Sequence, residues 1–163
     1  MVQALGIIIS LALILVQVRA QRIATSVATL TDLRTRWDCP RMRQARMTIA
    51  KAYPTQNTAL NDEHETVLSF FEELGFFLRR GIFDLLAVWE MYSYYIEHYW
   101  PLLEPHVAEL RRSENDKTFY ENAELLYRKS CAITEKRCLK SDKTPAQLSQ
   151  FMAGESNLKI ETL

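Results

Sequence analysis

Residues 61–103, NDEHETVLSFFEELGFFLRRGIFDLLAVWEMYSYYIEHYWPLL, decide the fold. Apolar residues recur there with the three-and-four spacing of helices, and nothing alternates with the two-residue period of a strand. Asn61 stands where an N-cap belongs, and Asp62, Glu63 and Glu65 follow in the first turn, where negative charge suits the positive end of the helix dipole. Val67, Phe70, Phe71, Leu74 and Leu78 fall on one face, and Arg79, Arg80 and Gly81 make a C-terminal stop. Asp84 caps a second helix, with Phe83 and Val88 spaced as a hydrophobic staple. Leu85, Val88, Trp89, Tyr92, Ile96, Tyr99, Trp100 and Leu103 give it a broad apolar face, and Pro101 and Pro105 are expected to kink or split it.

Outward from this segment the signals stay helical. Downstream, Thr118 and Glu121 read as a capping box for a helix whose apolar side is Phe119, Ala123, Leu126 and Tyr127. A polar tail, residues 138–163, carries one further box, Thr144 to Gln147. It opens a short helix near 145–153 that bears Leu148, Phe151 and Met152 and is closed by Gly154. Upstream, Cys39-Pro40 ends one helix and opens a basic one, Pro40 to Ala52, stopped before Pro54. Val16, Ile23, Leu30 and Trp37 recur every seven residues, with Val27 and Leu33 near the same stripe. Residues 19–37 therefore read as a basic helical neck, whose stripe packs on the protein's own bundle in preference to a coiled coil.

Met1 to Val18 carry no charged side chain, whereas Arg19 to Lys51 carry eight Lys or Arg against two Asp. Eighteen helical residues reach roughly 27 Å, close to the hydrocarbon thickness of a bilayer. A secretory signal would place positive charge ahead of the apolar core, and no Lys or Arg precedes Ile7; only Val18-Arg19-Ala20 offers a loose cleavage site, before Gln21. A buried core helix would need the remaining chain to cover the run on every side. Residues 1–18 thus read as a transmembrane anchor, N-terminus outside and the domain in the cytosol, since positive residues stay on the cytoplasmic side. No second span is expected, because Glu72 and Glu73, and then Asp84, Glu90 and Glu97, interrupt the other apolar stretches. Gly6 and Ser10 form a small-xxx-small pair, one route to a homodimer through the span and neck.

The formal net charge of zero hides unequal blocks. Residues 61–110 carry ten Asp or Glu against two Arg, an acidic middle beside the basic neck. That arrangement suits an anionic inner leaflet and also pairing between the two blocks. Glu72, on the flank of its helix, is expected to pair with Arg43 or Arg46. Glu90, Glu97 and Glu104 recur every seven residues and line one flank of their helix. They and the Leu148/Phe151/Met152 helix are the expected recognition surfaces.

Chemistry finds little to hold. Cys39, Cys131 and Cys138 form an odd set without CxxC, and Cys131 and Cys138 sit about 10 Å apart along a helix, beyond the roughly 7 Å limit for a bridge. A di-iron type centre needs Glu-x-x-His, and residues 61, 95 and 103, three before each His, are Asn, Tyr and Leu. His64-Glu65 is not followed by a His at position 68, and no phosphate loop or serine-hydrolase elbow is present. The aromatics from Trp89 to Trp100 sit among carboxylates, with no Lys or Arg from Asp84 to Leu110, which disfavours nucleic acid and favours core packing, Tyr94 facing solvent. No cofactor, metal or catalytic residue is expected. The alternative is a membrane-tethered enzyme or redox protein using Cys131, Cys138 or the His/Glu set.

Phe70-Phe71-Glu72-Glu73-Leu74, Arg80-Gly81-Ile82-Phe83-Asp84, Tyr99-Trp100-Pro101-Leu102-Leu103 and Arg111, with Trp37, Arg43 and Arg46 upstream, resemble the bacterial family known as domain of unknown function 4760 over about residues 1–130. The resemblance implies a bacterial, single-span, mostly helical protein and brings no reaction or cofactor. The expectation is an all-α chain: an N-terminal transmembrane helix continuing into a neck, a helical bundle over 38–137 and the tail. It serves as a non-enzymatic interaction or scaffold module at the cytoplasmic face of a bacterial inner membrane, for a protein partner that the residues do not name.

Overall fold

The computed structural model describes residues 2–53, 61–137 and 144–159, apart from the side chains of residues 2–9, Ala12, Arg22 and Ile23. The described residues form six helices and no strand: α1 (Val2–Trp37), α2 (Pro40–Ala52), α3 (Asp62–Arg79), α4 (Leu85–Ser113), α5 (Glu121–Lys136) and α6 (Pro145–Ser156). The chain divides into two compact units, residues 1–36 and 37–163.

α1 runs unbroken through the apolar run and the basic neck. More than half of the expected span falls on residues whose side chains lie outside the described set, Gly6 among them, and among the described residues no helix is long and apolar enough to cross a membrane. The seven-residue stripe is not buried along its length: Val16 and Val27 are exposed and Leu30 half-buried, while Leu33 and Trp37 are buried. Further along, Thr29, Thr31 and Thr35 donate their hydroxyls to the carbonyls four residues back, which satisfies them within the helix.

In the second unit α3 packs on α5 and α2, α4 packs on α5, and α6 lies on α2. The core is the expected face of α3, Val67, Phe70, Phe71 and Leu74, set against Tyr92, Ile96, Tyr99 and Leu103 of α4 and Leu126 of α5. Trp37 enters it with ring contacts to Phe70, Phe71, Tyr95 and Tyr99. Helix limits follow local chemistry. Cys39 caps α2 through its thiol, Asn61 and His64 form a reciprocal box at α3, and Asp84 accepts from Leu86 and Ala87 at α4. Gly81, at φ +67°, supplies the left-handed residue after α3.

Two local expectations need correction and one is narrowed. Pro101 and Pro105 sit inside one continuous α4 and do not split it: Trp100, Leu102, Leu103, His106 and Val107 are buried around them, so packing outweighs the lost backbone donors. Thr118 does not cap α5; its amide and hydroxyl both go to Asp116, and Tyr120 takes the N-cap position with φ 55° and no side-chain cap. Gly154 does not end α6, which continues to Ser156 because Glu155 is held in place. The helix is docked, with Phe151, Met152 and Glu155 buried.

Candidate functional site

The most concentrated polar chemistry lies where α2, α4 and α6 meet. Arg46, only 2% exposed, donates Nε to Glu155 Oε2 at 2.6 Å and Nη2 to Oε1 at 2.8 Å, a two-pronged charged pair. The same Oε2 accepts the Tyr99 hydroxyl at 2.6 Å. Nη1 reaches the Trp37 carbonyl at 3.3 Å, and the guanidinium carbon lies 4.4 Å from the Trp37 ring centroid and 5.0 Å from that of Tyr95. Burial by itself would weaken the guanidinium's hold on its proton, but Glu155 more than compensates and raises the pKa, so Arg46 stays a cation. Burial, and then the adjacent Glu155 carboxylate, push the Tyr99 hydroxyl well above the usual tyrosine range, which keeps it a donor. Beside this set, Phe151 stacks on His98 at 4.5 Å and meets Tyr94 and Tyr99 edge-on. Arg43 adds a second tie, Nη1 to the Lys159 carbonyl at 2.9 Å.

The expected pairing of Glu72 with Arg43 or Arg46 is therefore not the arrangement found. Both arginines face the α6 end of the chain, and Glu72 turns instead to α5. Its Oε2 accepts the amides of Asn122 and Ala123 at 3.0 and 2.9 Å, and its Oε1 accepts the Asn122 side chain. A carboxylate on another helix thus does the work of the missing cap, where the dipole of α5 is positive. Gly75, one turn further along α3, makes the approach feasible, since a Cβ there would overlap the Asn122 carbonyl.

The acidic stripe is not a continuous surface. Glu90 and Glu104 are exposed, but Glu97 is 2% exposed and accepts hydroxyls from Ser130 and Thr134 at 2.8 and 2.6 Å. Burial is tolerated because α5 brings two donors to the carboxylate. Trp89 donates to Thr134 at 2.9 Å, extending the same seam. On α6 Leu148 is half-buried and Phe151 and Met152 buried, so these three face the bundle. Tyr94 is exposed, as expected, although its ring edge also packs on Phe151.

His64 and His106 stack at 4.5 Å. Burial, followed by the proximity of His106, lowers His64 to about 4 against the opposing pull of Glu63. Cys39 and Cys131 are half-buried and in no disulfide among the described residues, while Cys138 lies outside them. Among the described residues no group of three or more His, Cys, Asp or Glu could hold a metal ion. The residue that sequence reasoning missed is Glu155. Its signal was there: an aromatic and a carboxylate four apart, Phe151 and Glu155, in an otherwise polar tail.

No curated protein and no solved structure matches the chain. A family model described as Domain of unknown function (DUF4760) matches residues 1–130. That range contains Trp37, Arg46, Tyr95 and Tyr99 and ends before α6, so the cation of the buried pair lies inside the match and its carboxylate outside. With well over half of its 163 residues matched, the chain belongs to the DUF4760 family.

Proposed function

We propose that the chain is a membrane-anchored, non-enzymatic interaction module. Residues 1–18 cross a bacterial inner membrane with the N-terminus outside, and the helical bundle works at the cytoplasmic face. One observation carries the reading: Leu11, Leu13, Ile14, Leu15 and Val16 of α1 are 55–64% exposed. At 100° per residue these side chains are spread around the helix, and Ser10 and Gln17 fill only the narrow gap between Leu13 and Ile14. A partner helix would cover one stripe; a lipid phase covers the whole circumference. The basic residues from Arg19 onward support the orientation.

Alkaline carbonate extraction of membranes expressing the full chain tests the anchor. The chain should stay in the pellet, and replacement of Leu11, Leu13, Ile14 and Val16 by Ser should release it. Release of the unaltered chain, or a mature N-terminus at Gln21, would refute the anchor.

A further inference from the structure

The cation of Arg46 is held by groups outside α6 as well as by Glu155. The Trp37 and Tyr95 rings and the Trp37 carbonyl fix one side of the guanidinium, which leaves Nε and Nη2 as a two-pronged donor beside the Tyr99 hydroxyl. Next to that donor set, Tyr94, His98 and Tyr99 form a slot that accepts one aromatic ring. α6, by contrast, has 12 residues and buries only Phe151, Met152 and Glu155. A helix that short is marginal alone in water, and a segment with few buried contacts opens locally well below the cost of global unfolding. The receiving side draws its groups from α2, α4 and Trp37, while the occupant is a short helix attached through a few side chains.

We infer that this junction is a receptor for an acidic amphipathic helix with an aromatic residue four positions before a glutamate. α6 is its intramolecular ligand and gives way when a partner helix of that chemistry docks. Charge complementarity selects the occupant: a helix that displaces α6 must deliver a carboxylate to Arg46, because a buried guanidinium tolerates no loss of its counter-ion. Phe151 and Glu155 lie one turn apart on one face, so a single helix supplies both groups. The inference rests on the bundle being an interaction module and not on the anchor.

The test uses the full chain in detergent and a fluorescent peptide of residues 144–158, with binding read by anisotropy. The unaltered chain should bind poorly, because its own α6 competes at an effective concentration in the millimolar range. Glu155→Gln in the full chain weakens the tethered copy alone and should tighten binding of the peptide about tenfold. Peptides carrying Glu155→Gln or Phe151→Ala should bind that chain about tenfold more weakly than the unaltered peptide. A second form guards against misfolding: the full chain with a protease site inserted among residues 138–143, cut after purification, should exchange its α6 for the labelled peptide. Equal binding of the unaltered and Glu155→Gln peptides would overturn the inference. So would absence of uptake by both the Glu155→Gln chain and the cut chain while circular dichroism shows their helices intact, since α6 would then be a fixed part of the fold. Carbonate extraction of the same proteins reads the anchor separately, so a failed anchor and a failed receptor give different results.

Discussion

The bundle has two joints built around a carboxylate, and they work in opposite ways. At the first, Glu72 of α3 grips the backbone amides that open α5, and Gly75 lets the two helices touch. At the second, Glu155 of α6 meets only side chains, Arg46 and Tyr99. A joint to backbone amides depends on one helix end in one position. A joint between side chains can be remade by any segment that presents the same groups. The first joint lies wholly within the family-matched residues, and the second reaches beyond them. Permanence in one place and replaceability in the other would suit the interaction module proposed above.

Mutations can break this contrast in order of size. Arg46→Ala should cost up to about 3–5 kcal/mol in urea unfolding, the undocking of α6 setting the limit, because it strands the buried Glu155 carboxylate. Replacing both Arg46 and Glu155 by Met should restore most of that loss, and a double mutant as unstable as the single one would show that the pair is not the source. Gly75→Ala should cost about 2–3 kcal/mol, since its new Cβ meets the Asn122 backbone and α5 must move; an unchanged melting temperature would mean that the helices do not meet there. Glu72→Ala should cost about 1–2 kcal/mol and speed hydrogen exchange at the Asn122 and Ala123 amides before others in α5. Unaltered exchange at those two amides would remove Glu72 from the capping role.

The smallest effect is a pH dependence at the opening of α3. His64 Nδ1 accepts the Asn61 amide at 3.4 Å, and its pKa falls from 6.5 to about 4 through burial, followed by the proximity of His106. The unfolded chain takes up this proton near pH 6.5 and the folded one only near 4. His64 therefore contributes stability that is complete above about pH 6.5 and is lost as pH falls toward 4. His64→Asn should flatten that slope between pH 7 and pH 5 in thermal melts; an identical slope in the variant would assign the dependence elsewhere.

Four helix starts were legible because their causes are local. Asn61, Asp84, Thr144 and the Cys39-Pro40 step each act within a turn of their own helix. Partners of charges were not. Acidic and basic blocks announce attraction without naming the pair, so Glu72 is expected to meet Arg43 or Arg46 of the basic helix when the real demand is an uncapped α5. Glu97 reads as part of a recognition surface because spacing says where a residue lies on its own helix and nothing about Ser130 and Thr134 on another. Glu155 was passed over because polar composition hides a docking helix whose contacts are few but buried.

The buried pair also has a history in time. Arg46 and Glu155 are 109 residues apart, so at roughly 5–20 residues per second a ribosome makes the arginine about 5–20 s before the glutamate. Trp37, Tyr95 and Tyr99 are also complete before Glu155. Every newly made copy therefore passes through seconds in which its arginine, Trp37 and both tyrosines have been synthesised and the glutamate that joins them has not.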